Sequence, residues 1–138
     1  MELITVKAHS FIAQLGADPT GVPWVDHIIN KSKTWEGRLN KGKWQAADVG
    51  DYVSFTDATG RAKMSKLVMK IIAKREFGGF DEAWLSCPGL LPTPADGQLW
   101  TPPHVQEYYL TLPGYQEAWD AMPVSDHRVV VFELSLFP

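Results

Sequence analysis

Apolar and polar positions in this chain fall into short blocks, and no block holds a helical period for long. Residues 3–8 read as a first strand, with Leu3, Thr5 and Lys7 on one face and Ile4, Val6 and Ala8 on the other. A short helical turn is predicted at 11–15, and Gly16-Ala17-Asp18-Pro19-Thr20-Gly21 reads as a loop. A helix follows over 22–31. Pro23 suits its first turn, and Trp24, Ile28 and Lys31, or Val25, Ile28 and Ile29, fall on helical spacing. Residues 33–39 look extended and 40–43 look like a turn. Val49-Gly50-Asp51 leads into a strand at 52–56, and Asp57-Ala58-Thr59-Gly60 has the composition of a hairpin turn. The long segment 61–76 has a β-branched core at 67–74 that is short enough for a strand, although its lysines also mimic a basic helix. A short helix is predicted at 80–85 and a Pro-rich loop at 87–97. Two helices follow, from 102 to 109 or 110 and at 115–121, broken by Pro113-Gly114. The chain closes on a strand at 128–136.

Strands joined by hairpin-type links, with short helices between, predict an α+β fold. The sheet would be mixed and mostly antiparallel, or closed into a small β-barrel, with the helices packed outside. The 138 residues suffice for a single domain, 1–138, and no internal repeat divides them. Apolar residues make up 45% of the chain and charged residues 21%, so it falls in the ordinary globular class. No run approaches a membrane span, and no secretory signal is visible at the start. Cys87 is the only cysteine, so an internal disulfide is excluded and a reducing, cytoplasmic or otherwise intracellular setting is expected.

Charge changes this picture. Residues 31–75 hold 11 of the 13 basic residues against Glu36, Asp48, Asp51 and Asp57, a local balance of +7 in a chain of net charge −3. Such segregation predicts one basic surface suited to an anion such as nucleic acid. Lys66, Lys70 and Lys74 share a face at spacing four in a strand, as a stripe about 27 Å long. Standard signatures are missing: there is no phosphate loop, GxGxxG, HExxH or GxSxG. His9, His27, His104 and His127 lack ligand spacing, Cys87 has no basic neighbour in sequence to activate it, and neither a metal nor a cofactor is expected.

The most informative stretch is Lys31-Ser32-Lys33-Thr34-Trp35-Glu36-Gly37-Arg38. On a strand Thr34, Glu36 and Arg38 share a face, and Lys33 sits at the helix-to-strand junction. Glu36 would accept from base amino groups, and Arg38 would grip phosphate or carbonyl oxygens. The bland alternative is a surface ion pair beside a helix end.

This stretch, followed by Gly50-Asp51-Tyr52-Val53-Ser54-Phe55, resembles the ASCH domain, a branch of the PUA-like barrels. That family carries G-x-K-x-x-E-x-R at a helix end and then G-D-x-(hydrophobic)-x-F on a strand. Tyr108-Tyr109, Pro113-Gly114-Tyr115 and the closing Val129-Val130-Val131-Phe132-Glu133-Leu134 extend the likeness in order. Lys31 stands where the family has glycine, and the Pro-rich stretch at about 87–103 looks like an insertion. The resemblance implies a small PUA-like β-barrel with a cleft lined by Lys33, Glu36 and Arg38, and binding of single-stranded RNA or of a nucleotide or nucleoside ligand.

The same resemblance implies an alternative, a hydrolase in that cleft, acting either as an N4-acetylcytidine amidohydrolase or as a ribonuclease. Lys33 and Glu36 would then be catalytic. The amidohydrolase branch has a nucleophilic threonine where this chain has Glu36, and Thr34 beside Lys33 is a lesser candidate nucleophile. Glu36 would serve as a general base if burial raised its pKa. A third reading is a protein-interaction scaffold using the acidic helical half, with no partner specified.

Of the six tryptophans, Trp24, Trp35, Trp84 and Trp119 read as core. Trp44, in the basic turn Lys41-Gly42-Lys43-Trp44, is the best base-stacking candidate, and Trp100 is a candidate lid over the cleft. The expected ligand contacts are therefore Lys33, Glu36, Arg38, Trp44, Lys66, Lys70 and Lys74.

Overall fold

In the computed structural model, residues 9–92 and 100–136 are described. In chain order the elements are β1 (Ser10–Leu15), α1 (Trp24–Ile29), β2 (Trp35–Leu39), α2 (Gly42–Ala46), β3 (Tyr52–Asp57), β4 (Lys66–Phe77), α3 (Phe80–Ser86), a 3-10 turn (Pro88–Leu90), α4 (Pro102–Leu110), α5 (Tyr115–Ala121) and β5 (Val129–Leu136). The strands form one curled sheet in the order β1-β3-β4-β5-β2. Only β1–β3 is parallel; β3–β4, β4–β5 and β5–β2 are antiparallel. The fold is α+β, with a mixed, mostly antiparallel, half-barrel sheet and short helices, as the order of predicted elements suggested. The strand predicted at 3–8 lies outside the described residues.

Burial follows from the curl. Val129–Phe132 of β5 are fully buried in succession, because β5 lies inside the sheet and both of its faces are covered. On one face Phe132 packs against Trp44 of α2. On the other, α3, α4 and the 3-10 turn supply Phe80, Ala83, Leu90, Val105 and Tyr109 to the core. Phe55, Val53, Leu67, Met69 and Ile71 fill the curl along β3 and β4.

Three expectations need correction. Residues 11–15 are strand, not a helical turn: Ala13 and Leu15 are buried while Ile12 and Gln14, which alternate with them, are exposed, so the period is two. The β3–β4 connection is the loop 58–65 rather than a tight hairpin turn. It is organised by Asp57, whose carboxylate accepts from the Thr59 and Ala62 backbone N–H groups. The lysine stripe is also broken. The β4–β5 register shifts between Ile71 and Ala73, and this bulge places Lys74 opposite the buried Phe132 while Lys70 lies opposite Ser135. Lys66 and Lys70 therefore stay together on the outer face. Lys74 turns to the other face, where its Nζ donates to Gln45 O at 3.0 Å near the end of α2.

The second half of the Gly50-Asp51…Phe55 pattern is structural. Gly50 takes φ +94, a conformation that suits glycine, and Asp51 accepts from His9 N and Asp48 N, which ties β3 to the β1 entrance. Lys31 takes φ +66 and is the one non-glycine residue with positive φ among those described. Lys31→Gly is expected to raise stability by about 1 kcal/mol through relief of left-handed strain, read as a higher midpoint of urea unfolding.

Candidate functional site

The curl brings the two edge strands, β1 and β2, to opposite sides of a cavity of about 410 Å³. Small-molecule sites span roughly 300–1,000 Å³. One wall is the end of β1 and the turn after it, from Gln14 to Ala17. The facing wall is Glu36, Gly37 and Arg38 on β2, with Lys33 just before it. Trp24 of α1 and Tyr108, Tyr109 and Tyr115 of α4 and α5 complete an aromatic enclosure.

Lys33, Glu36 and Arg38 converge here, as the sequence motif predicted. Glu36 is 5% exposed and each of its oxygens faces one cation: Oε1 lies 3.6 Å from Lys33 Nζ, and Oε2 accepts from an Arg38 terminal nitrogen at 3.1 Å. Burial alone pushes the Glu36 carboxyl up, but Arg38 and Lys33 together outweigh it and hold its pKa below the ordinary range. Glu36 is thus a firm anion and hydrogen-bond acceptor. The raised pKa that would suit a general base does not arise.

Lys33 is 4% exposed, and its ammonium donates to Trp35 O at 2.8 Å and Leu90 O at 2.6 Å. Burial lowers its pKa, against the pull of Glu36. Two of its donors are committed to these carbonyls and the ammonium is drawn toward Glu36 at 3.6 Å, so Lys33 braces the motif and the 3-10 turn against each other. Arg38 is fixed differently. Its guanidinium centre lies 4.5 Å from the Trp44 ring centroid, and the Tyr115 hydroxyl sits beside it.

Gly37 separates Glu36 from Arg38 and lets Tyr109 approach. A Cβ there would stand 3.0 Å from the Tyr109 hydroxyl and 3.1 Å from Leu90. Tyr109 is held by parallel stacking on Phe80, 4.0 Å between centroids and 4° between planes. Its hydroxyl is buried beside the cleft with no hydrogen-bond partner among the described residues. Burial raises the pKa of Tyr109 well above its ordinary value, so the group is a neutral phenol. An orphan hydroxyl of this kind is costly in the free protein and useful to a ligand. Tyr109→Phe is expected to raise the stability of the free protein by about 1 kcal/mol while weakening ligand binding. Thermal unfolding and a parallel binding titration check the pair of effects.

The structure places other expected residues elsewhere. Thr34 packs its side chain toward Gly89 and donates its N–H to Gly89 O, so it is not part of the cleft lining and forms no nucleophilic pair with Lys33. Trp44 is buried against Phe11 and Phe132, under the Arg38 and Lys43 cations, so it lacks the open face expected of a stacking platform. Trp100 donates to Pro92 O and packs its ring on Tyr108, and it does not line the cavity. Lys66, Lys70 and Lys74 do not line the cavity. Trp24, read from sequence as core, does line it, as do Tyr108, Tyr109 and Tyr115, which sequence reasoning did not assign to the site. Part of the Pro-rich stretch also contributes, through the Leu90 carbonyl and the Leu91 side chain.

Among the described residues, no group of three His, Cys, Asp or Glu side chains could hold a metal ion, and no helix is long and apolar enough to cross a membrane. Cys87 is buried, and burial pushes its thiol up despite the pull of nearby Arg75.

Comparison with known proteins identifies the fold alone. No protein-family model and no curated protein sequence matches this chain. The solved structure of the hypothetical protein PH0355 is similar, with a TM-score of 0.64 and 18% identity over 93% of this chain and 99% of that one. The solution structure of protein PF0455 from Pyrococcus furiosus is similar at a TM-score of 0.56 and 16% identity, covering 95% of this chain and 98% of that one. The half-barrel with its short helices is thus an architecture shared along nearly the whole length of both neighbours.

Proposed function

We propose that this protein is an ASCH-like binding domain that recognises a base of single-stranded RNA, or of a nucleotide, in the cleft between β1 and β2. The observation that carries this reading is the convergence of one permanent carboxylate, one oriented guanidinium and one unpartnered phenol in a single aromatic enclosure. A nucleobase needs these groups: an acceptor for its amino or imino hydrogen, a donor for its carbonyl, and ring faces to hold its plane. Lys66 and Lys70, together on the outer face of β4, would add sequence-independent attraction for the backbone.

Binding is favoured over hydrolysis in the same cleft. Glu36 is held below the ordinary carboxylate range, Lys33 is tied to two backbone carbonyls, and Thr34 is turned away. Titration with a short single-stranded RNA of mixed sequence tests the reading. Trp24 in the cleft wall predicts quenching of tryptophan fluorescence, with affinity falling steeply as salt rises. Emission left unchanged by both the RNA and nucleoside monophosphates, or RNA binding that ignores salt, would sink it.

A further inference from the structure

The cavity does not end at Arg38. A second, more open recess of about 490 Å³ lies beyond the guanidinium and shares Arg38, Pro113 and Tyr115 with the first. Arg38 is therefore a partition between two chambers. The second chamber adds Lys41 and Trp44, and among the described residues it contributes no carboxylate. Among the described residues, the two linings together hold Lys33, Arg38 and Lys41 against Glu36 as the one carboxylate. Such a balance favours an anionic ligand over a neutral one.

The state of Arg38 says where the anion goes. One terminal nitrogen is engaged by Glu36 at 3.1 Å, the plane is set by Trp44, and Tyr115 stands at its side. A guanidinium carries five N–H donors in a rigid fork, and Glu36 and the Tyr115 hydroxyl engage only part of that fork. Donors remain for an oxygen-rich group arriving from the second chamber, where exposed Lys41 can approach the same group.

We infer that the ligand straddles Arg38, with its base in the first chamber and an adjacent phosphate in the second, gripped by Arg38 and Lys41. The ligand class is thus a nucleobase carrying a neighbouring phosphate, either a free nucleotide or one unit of an RNA strand. This inference rests on the base-binding reading of the first chamber and adds to it a phosphate subsite.

The test compares affinities by calorimetry for the four common nucleosides, their 3′- and 5′-monophosphates, and a dinucleoside monophosphate. A phosphate is expected to tighten binding by about tenfold over the matching nucleoside, or ~1.4 kcal/mol. A gain with monophosphates alone identifies a free nucleotide as ligand, and an equal or larger gain with the dinucleoside identifies a strand. Lys41→Glu, a change at an exposed site, is expected to collapse the ratio of nucleotide to nucleoside affinity. Equal affinities for nucleoside and nucleotide in the unaltered protein would overturn the phosphate subsite and leave the base site standing. An unchanged ratio in Lys41→Glu would overturn its location. If none of the probes binds, both the subsite and the base-binding reading fail.

Discussion

Glu36→Gln is expected to destabilise the protein by about 3–5 kcal/mol and to abolish ligand recognition in the cleft. The substitution keeps the shape of the side chain but removes the one negative charge between Lys33 and Arg38, both enclosed with it. Two like charges then share a site with little water to screen them, and the loss is a large share of a typical domain's 5–15 kcal/mol, roughly. The pH dependence identifies the cause. In the unaltered protein the folded pKa of Glu36 lies below its ordinary 4.5, so its contribution is present in full above that value and is lost as pH falls through the depressed folded pKa. Glu36→Gln lacks this acid-side loss. Its own defect eases as pH rises, because burial and Arg38 hold Lys33 below its ordinary 10.5 and the unfolded chain binds the extra proton throughout that window. Urea unfolding across pH, run on both proteins, separates this electrostatic account from a packing defect, which would lower the variant by the same amount at every pH.

Phe80→Ala is expected to cost about 3–5 kcal/mol by a different route. Phe80 is fully buried, and its ring stacks flat on Tyr109 while also contacting Tyr115 and Trp119. Its removal leaves a void behind the phenol wall of the cleft, and Tyr109 loses the surface that aims its hydroxyl at β2. Ligand affinity therefore falls with stability even though Phe80 is absent from the cavity lining. Phe80→Leu keeps most of the volume and is expected to cost about 1 kcal/mol, with most of the affinity retained. Denaturant unfolding with a binding titration on both variants measures the two effects.

Particular residues explain how far the sequence could be read. The helices at 102–110 and 115–121 announce themselves through Pro102-Pro103 and the Pro113-Gly114 break, and β5 through its run of β-branched residues. The motif wall was legible for a local reason: Glu36 and Arg38 are two apart on a strand, so alternation alone puts them on one face. The opposite wall was not legible. Tyr108, Tyr109 and Tyr115 reach β2 from about 70 positions further along the chain, and no local period encodes that contact. The bulge at Ile71-Ile72-Ala73 carries no turn residue, so the displacement of Lys74 from the lysine stripe had no signal in the sequence. Exposed Ile12 masked the alternation of β1 in the same way, by placing an apolar side chain on the solvent side.

The concentration of positive charge also takes on a more detailed meaning. Several of the 11 basic residues at 31–75 are tethers to backbone carbonyls: Lys33 to Trp35 and Leu90, Lys43 to Ile12, Arg61 to Gly21 and Lys74 to Gln45. Charge counting locates the region of the cleft but overstates the surface left to meet an anion. Arg38, fixed by Glu36 and Trp44, is the cation that the fold holds ready in the cleft.

The proposed ligand site is the cleft between the edge strands. Amide shift mapping by NMR of the labelled protein, titrated with nucleoside monophosphates, tests it most directly. Perturbations are expected at Gln14, Leu15, Gly16 and Ala17, at Glu36, Gly37 and Arg38, in the Tyr108–Tyr115 region, and at Lys41 and Gly42 beside the phosphate. Perturbations confined to the outer face of β4 around Lys66 and Lys70, or none at saturating nucleotide, would contradict it.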